Sequence, residues 1–245
     1  MSDTIAELII AAARLRDDTE DLARRMESEG VADCVYNPLM YAWEIHEEFI
    51  RLSGGHGAKT ILMGMNPGPH GMGQMGIPFA ATSVVRELLG ISGIDVGKPA
   101  LTHPKRPVNG LNHSKEEVSG TRLWGLLQGT YGGASQIFQN VFIVNHCPLM
   151  IFEGHRGTNI TPNNVSGLVV SELLERCDQH LREVVIALGA EEVIGIGKYA
   201  EKRANLALAA MGTRVKTCWH PSPASPLANR NGGEDWRENV RDVLP

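Results

Sequence analysis

Asn66, Asn145, His220 and Phe79 are the side chains best suited to chemistry, and each closes or follows a short apolar run or a glycine-rich turn. A carboxamide presents a donor beside an acceptor, so either asparagine can match the edge of a nucleobase with two hydrogen bonds. His220, in His220-Pro-Ser-Pro223, can donate to negative charge developing on a carbonyl oxygen. A phenyl ring can stack on the face of a base, as in proteins that bind single strands or flipped nucleotides. Two amides, a histidine and an aromatic ring gathered in one place suit a pyrimidine-like ligand.

Asn66 and Phe79 bracket an unusual loop. It carries glycines at 64, 68, 71, 73 and 76 and prolines at 67, 69 and 78, and residues 60 through 85 contain no Asp, Glu, Lys or Arg. A solvated linker is normally charged or serine-rich, so this loop reads as shaped for binding. Glycine lets backbone approach a flat ligand, and proline holds the curve. No Gly-Lys-Ser/Thr follows, which excludes a phosphate loop, and the prolines break the geometry of a dinucleotide fingerprint.

Other chemistries fare worse. The nine histidines form no His-Glu-x-x-His cluster, and Cys34, Cys147, Cys177 and Cys218 lie far apart with no Cys-x-x-Cys pair, so neither zinc nor an iron–sulfur cluster is expected. There is no Gly-x-Ser-x-Gly, and alternation points Cys147 away from its neighbour His146. Among the basic residues, Lys105 and Arg106 sit in a proline-flanked loop and Lys198 at a helix N-terminus that attracts anions; with Lys202, Arg203 and Arg230 they could form a phosphate track.

The elements that must position these groups follow from hydrophobic periodicity. Residues 4–28 read as an amphipathic helix with Ile5, Leu8, Ile9, Leu15, Leu22 and Met26 on its apolar side. Residues 60–63, 141–144, 192–196 and 214–219 read as strands, and 82–89 as a helix. Asn163 or Asn164 is expected to cap a helix running to about Leu181, with Leu168, Val169, Leu173 and Leu174 on one face. A further helix is expected from Gly197 to about Met211. Strands alternating with helices imply a mainly parallel sheet covered on both faces, and ligands bind such sheets at the carboxyl ends of the strands. That rule brings Asn66, Asn145, Gly197-Lys198 and His220 together.

At 245 residues the chain suits one α/β domain, 1–245, with a helical extension at about 1–30. A net charge of −5 argues against non-specific coating of nucleic acid, though not against a local DNA-binding patch. Asp3, Glu7, Arg14 and Arg16 interrupt the first apolar stretch, so no signal peptide or membrane span is expected. Sparse cysteine fits a reducing compartment.

Taken together, the chain resembles the single-strand-selective monofunctional branch of the uracil-DNA glycosylase superfamily. The resemblance rests on Gly64-Met-Asn-Pro-Gly-Pro69, Gly76-Ile-Pro-Phe79, His103-Pro-Lys-Arg-Pro-Val108, Glu117-Val-Ser-Gly120, Asn145-His-Cys-Pro-Leu149, Gly195-Ile-Gly197 and His220-Pro-Ser-Pro223, in family order. It implies a three-layer α/β/α sandwich with no metal or cofactor, and a monomer that excises uracil and 5-substituted uracils, such as 5-hydroxymethyluracil, from single- and double-stranded DNA. By this resemblance Asn66 positions the hydrolytic water, His220 stabilises the departing base, and Asn145 reads its edge. Phe79 stacks on the base, and Gly68 and Met72 line its C5 side. Lys105, Arg106, Lys198, Ser222 and Arg230 are the expected DNA contacts. Localisation would be cytoplasmic in a prokaryote and nuclear in a eukaryote. The family commonly carries a wedge arginine after His-Pro-Ser-Pro; here the residue is Ala224, and Leu227 or Arg230 is the candidate substitute. Two other functions fit the same residues: a related glycosylase preferring mismatches or deaminated purines, and a non-catalytic single-strand DNA-binding module.

Overall fold

The computed structural model describes residues 2–245, with Ser2 described by its backbone. In chain order the first half comprises α1 (Ser2–Ser28), β1 (Cys34–Tyr36), α2 (Pro38–Tyr41), α3 (Trp43–Ser53), β2 (Thr60–Gly64), α4 (Met72–Met75), α5 (Val118–Tyr131) and α6 (Ala134–Asn140). The second half comprises β3 (Val141–Asn145), β4 (Met150–Glu153), β5 (Thr158–Ile160), α7 (Leu168–Leu188), β6 (Glu192–Ile196), α8 (Lys198–Ala207), β7 (Arg214–Cys218), α9 (Pro226–Asn229) and α10 (Glu234–Arg241).

Among the described residues, four strands form a parallel sheet in the order β3-β2-β6-β7. Strands β2, β3 and β6 are buried along their whole length, as expected where both faces are covered. Alternation divides their side chains. Ile61, Met63, Phe142, Val144 and Val193 pack with Leu8 of α1, Val184 of α7 and Ala204 of α8. Leu62, Ile143, Ile194 and Ile196 pack with Phe49 of α3, Trp124 of α5, Phe138 of α6 and Trp236 of α10. The result is the expected α/β/α sandwich. A small antiparallel sheet, β1-β4-β5, stands beside it and was not anticipated, because its strands are only three or four residues long.

Four local expectations are corrected. Asn163 and Asn164 do not cap the long helix: they lie in a 3-10 turn, Val165 is extended, and α7 begins at Leu168 after Gly167. That helix runs on to Leu188, where Gly189 in the left-handed conformation ends it, because Leu181, Val184, Val185 and Leu188 continue the buried face. Leu168 is 83% exposed and off that face. The segment 82–89 is a short helical stretch whose Val84–Leu88 part is a π-type turn, a form frequent beside functional sites.

Candidate active site

The parallel register sets the site. Gly64 ends β2 directly opposite Asn145 at the end of β3, so the loops that leave these strands open on the same edge of the sheet. A Cβ at Gly64 would run into Asn145 Oδ1 and stand 2.5 Å from Phe79 Cε2, so only glycine lets the two side chains close over the strand end. Gly120 plays the matching part from α5: a Cβ there would overlap the Phe79 carbonyl. Phe79 itself is held at φ 53, a strained conformation for a non-glycine residue that costs on the order of 1–3 kcal/mol and is typical of ligand clamps.

A cavity of about 260 Å³ opens at this edge, lined by Asn66, Gly68, Met72, Phe79, Asn145, His220 and Ser222, among others. Every residue expected to touch the base or catalyse its release therefore converges there. Asn145 is buried; its Nδ2 donates to Met72 Sδ at 3.2 Å, and its Oδ1 has no partner at all. A buried amide oxygen without a donor is costly, and a ligand N–H supplied from the cavity would satisfy it. Asn66 is half-buried, with a single long contact from its Nδ2 to the Leu149 carbonyl at 3.5 Å, and its amide is available to the cavity.

His220 is electronically defined by its own loop. Its Nδ1 accepts the Ser222 backbone N–H at 3.1 Å, and burial pushes its pKa below the ordinary 6.5. The ring is neutral at neutral pH with its proton on Nε2, which makes it a hydrogen-bond donor. Its ring centroid lies 6.0 Å from that of Phe79.

Behind Asn145, His146 turns inward. Its Nε2 donates to Asp178 Oδ1 at 2.8 Å, and its Nδ1 lies 3.0 Å from the Tyr199 hydroxyl. Burial pushes the Asp178 carboxyl up, but hydrogen bonds from His146 and Arg203 hold it below its usual value, so it stays ionised. This network ties β3 to α7 and α8. It absorbs Arg203, which is therefore not on a phosphate track.

The remaining basic residues lie outside the cavity. Lys198 pairs with Glu201 at 2.8 Å and Arg230 with Asp235 at 3.3 Å. Arg106 donates from Nε to the Gly157 carbonyl at 2.7 Å, and Lys105 is exposed on the same loop. Gln74, passed over in the sequence, joins that loop to the glycine loop: its Nε2 donates to the Pro69 and Pro107 carbonyls, and its Oε1 accepts from Asn109 N. Glu117, earlier only part of a motif, lines the cavity against Gly68, its carboxyl pushed up by burial and held down by backbone N–H groups of His70 and Ser119. Asn159 and Thr161 also line it, from β5 and the turn after it. Strands so short leave no periodic trace, so no sequence signal marked these two.

A model of the Uracil DNA glycosylase superfamily matches residues 53–243. The chain belongs to this superfamily. Its similarity to curated relatives extends further. It is 41% identical over 225 residues to the single-strand selective monofunctional uracil DNA glycosylase of Bos taurus, covering 91% of this chain and 82% of that one. The Rattus norvegicus protein of the same description is 40% identical over 211 residues, covering 85% and 75%. The crystal structure of wild-type Pedobacter heparinus SMUG2 superposes with a TM-score of 0.60 at 16% identity, covering 85% of this chain and 84% of that one, which shows the shared fold. Among the described residues no helix is long and apolar enough to cross a membrane.

Proposed function

We propose that this superfamily member hydrolyses the N-glycosidic bond of uracil and 5-substituted uracils, including 5-hydroxymethyluracil, in single- and double-stranded DNA, leaving an abasic site. The observation that carries the proposal is the pairing within one cavity of an unpartnered, buried Asn145 Oδ1 with a neutral His220 whose free ring position is a donor. Asn145 Oδ1 accepts the base N3–H and its Nδ2 donates to O4. That leaves O2 for His220, and Phe79 covers the ring face.

Cleavage breaks the bond from C1′ to N1, and its electron pair leaves with the base as an anion spread over N1 and O2. The His220 Nε2–H stabilises that charge as it forms, while a water held by the Asn66 amide adds its oxygen to C1′ and its proton passes to the departing base anion. Electrostatic stabilisation of this kind acts mainly on the transition state. DNA is the partner, and the protein acts as a monomer.

The test uses uracil-containing oligonucleotides of both strand forms in EDTA, followed by alkaline cleavage at abasic sites. Strand scission is expected from the parental protein. Asn66→Ala and His220→Ala should each slow single-turnover base release by about 10²–10³ with binding largely kept. Inactivity of the parent on both forms rejects the proposal, and near-normal turnover of either variant removes that residue from the mechanism.

A further inference from the structure

His220 sits on a stretch with no strand or helix of its own, between the end of β7 at Cys218 and the start of α9 at Pro226. Something else must hold it. On the upstream side α10 does so: the Asn239 Oδ1 accepts the Trp219 N–H at 2.8 Å, and Trp236 Nε1 donates to the Trp219 carbonyl at 2.9 Å. On the downstream side the hold comes from a single residue of α5. Arg122 Nη1 donates to the Pro221 carbonyl at 3.0 Å and to the Ala228 carbonyl at 3.5 Å, while Nη2 donates to Asn229 Oδ1 at 3.0 Å. Asn229 extends the hold, its Nδ2 donating to the Pro223 and Ser225 carbonyls at 2.8 and 3.1 Å.

We propose that Arg122 is a positioning residue for base release: its guanidinium, bridging Pro221, Ala228 and Asn229, holds the His220 imidazole where it can donate to the leaving base. This rests on the role given to His220 above. The chemistry favours arginine. Only a planar fork reaches three acceptors spread over nine residues at once; an ammonium is a point donor on a flexible stem. Hydrogen bonds from a charged donor are roughly twice as strong as neutral ones. The constrained element is also the one where placement matters, since a shift of about 1 Å in a reacting group can cost on the order of 10²-fold in rate. Arg122 is half-buried and does not line the cavity, so its hold on the site runs through the loop it bonds.

The experiment measures single-turnover release of uracil from a single-stranded oligonucleotide for Arg122→Ala, Arg122→Lys, His220→Ala and the Arg122→Ala/His220→Ala double variant, with oligonucleotide affinity measured alongside. Arg122→Ala is expected to slow release about 10- to 100-fold while affinity changes by no more than about threefold. Arg122→Lys should recover only a small part of the loss. In the double variant the Arg122 effect should vanish, leaving the rate within about threefold of His220→Ala, because no imidazole remains to be placed. Asn229→Ala, which loosens the same loop from its exposed side, should slow release in the same direction and covers the case in which Arg122→Ala does not fold. A parental rate in Arg122→Ala, or losses that multiply in the double variant, overturns the proposal. If His220→Ala itself releases uracil at the parental rate, the role of His220 falls first, and that outcome is read from a different variant.

Discussion

At the scale of single residues, the site depends on hydrogen-bonding capacity left unused. Asn145 Oδ1 is buried with no donor, and its Nδ2 has only a thioether sulfur, a weak acceptor. The protein thus bears the desolvation of an amide that a uracil edge would complete. Asn145→Asp keeps the shape but replaces the donor with an acceptor, so O4 faces a carboxylate oxygen. We expect uracil excision to fall by about tenfold or more, the worth of a hydrogen bond made good or left unsatisfied in a buried site, with some gain toward cytosine, whose N4 amino group donates. Rates on matched uracil and cytosine oligonucleotides decide it; parental uracil excision by Asn145→Ala rejects the assignment. His220 shows the complementary economy, since one backbone N–H from Ser222 is enough to set which nitrogen carries its proton.

At the scale of elements, the strand ends and the loops after them build the cavity. Gly64 is the hinge of this arrangement, since β2 must pass beneath both Asn145 and Phe79. Gly64→Ala places a methyl where those side chains meet. We predict a loss of excision of about 10²-fold or more from displaced reacting groups, with the parallel sheet retained by circular dichroism. An active Gly64→Ala protein would show that Phe79 and Asn145 need not close together. The loop after His220 raises a second question. Ala224 and Leu227 are exposed and Arg230 pairs with Asp235 at 3.3 Å, so the expected wedge position itself carries a methyl group in place of a guanidinium. Extruding a base from a duplex costs a few kcal/mol that a single strand does not require. Excision should therefore be faster from single strands and G·U mispairs than from A·U pairs, and Ala224→Arg should raise A·U activity more than single-strand activity. Equal single-turnover rates on A·U duplex and single strand would point to Leu227 or Arg230 as the wedge.

At the scale of the whole molecule, buried histidines govern acid stability. Burial lowers His46 to a pKa of about 4, against a partly compensating bond to the Gly76 carbonyl. Burial, with the charges of Arg176 and neighbouring histidines, lowers His180 to about 3. Unfolding returns both to an ordinary 6.5, so the unfolded chain binds more protons between pH 6.5 and those lowered values. Stability is then full above about pH 6.5 and declines as pH falls through that window, by on the order of a few kcal/mol. Urea midpoints at pH 7.5 and 5 should differ accordingly, and His180→Leu should flatten the difference. Identical midpoints for the parent would mean the imidazoles reach solvent in the folded state.

The central sheet and its covering helices were legible because their signals are local. Runs such as Thr60–Met63 and Val141–Val144 must be buried on both faces wherever they lie, and Asn66, Asn145 and His220 follow from the rule that ligands sit at the carboxyl ends of parallel strands. The start of α7 was misplaced because an asparagine that can cap a helix serves equally in a 3-10 turn, and only packing chooses. Other features had no local signal. The ion pairs of Lys198 with Glu201, Arg203 with Asp178 and Arg230 with Asp235 are such a case. So are the approach of Glu117 to Gly68 and the reach of Arg122 to a loop about a hundred residues away. The sequence by itself determined which residue types stand at which strand ends, since that depends on short-range periodicity. Tertiary structure alone decided which of them keep an unsatisfied hydrogen bond for a ligand, because that depends on neighbours the chain brings together only when folded.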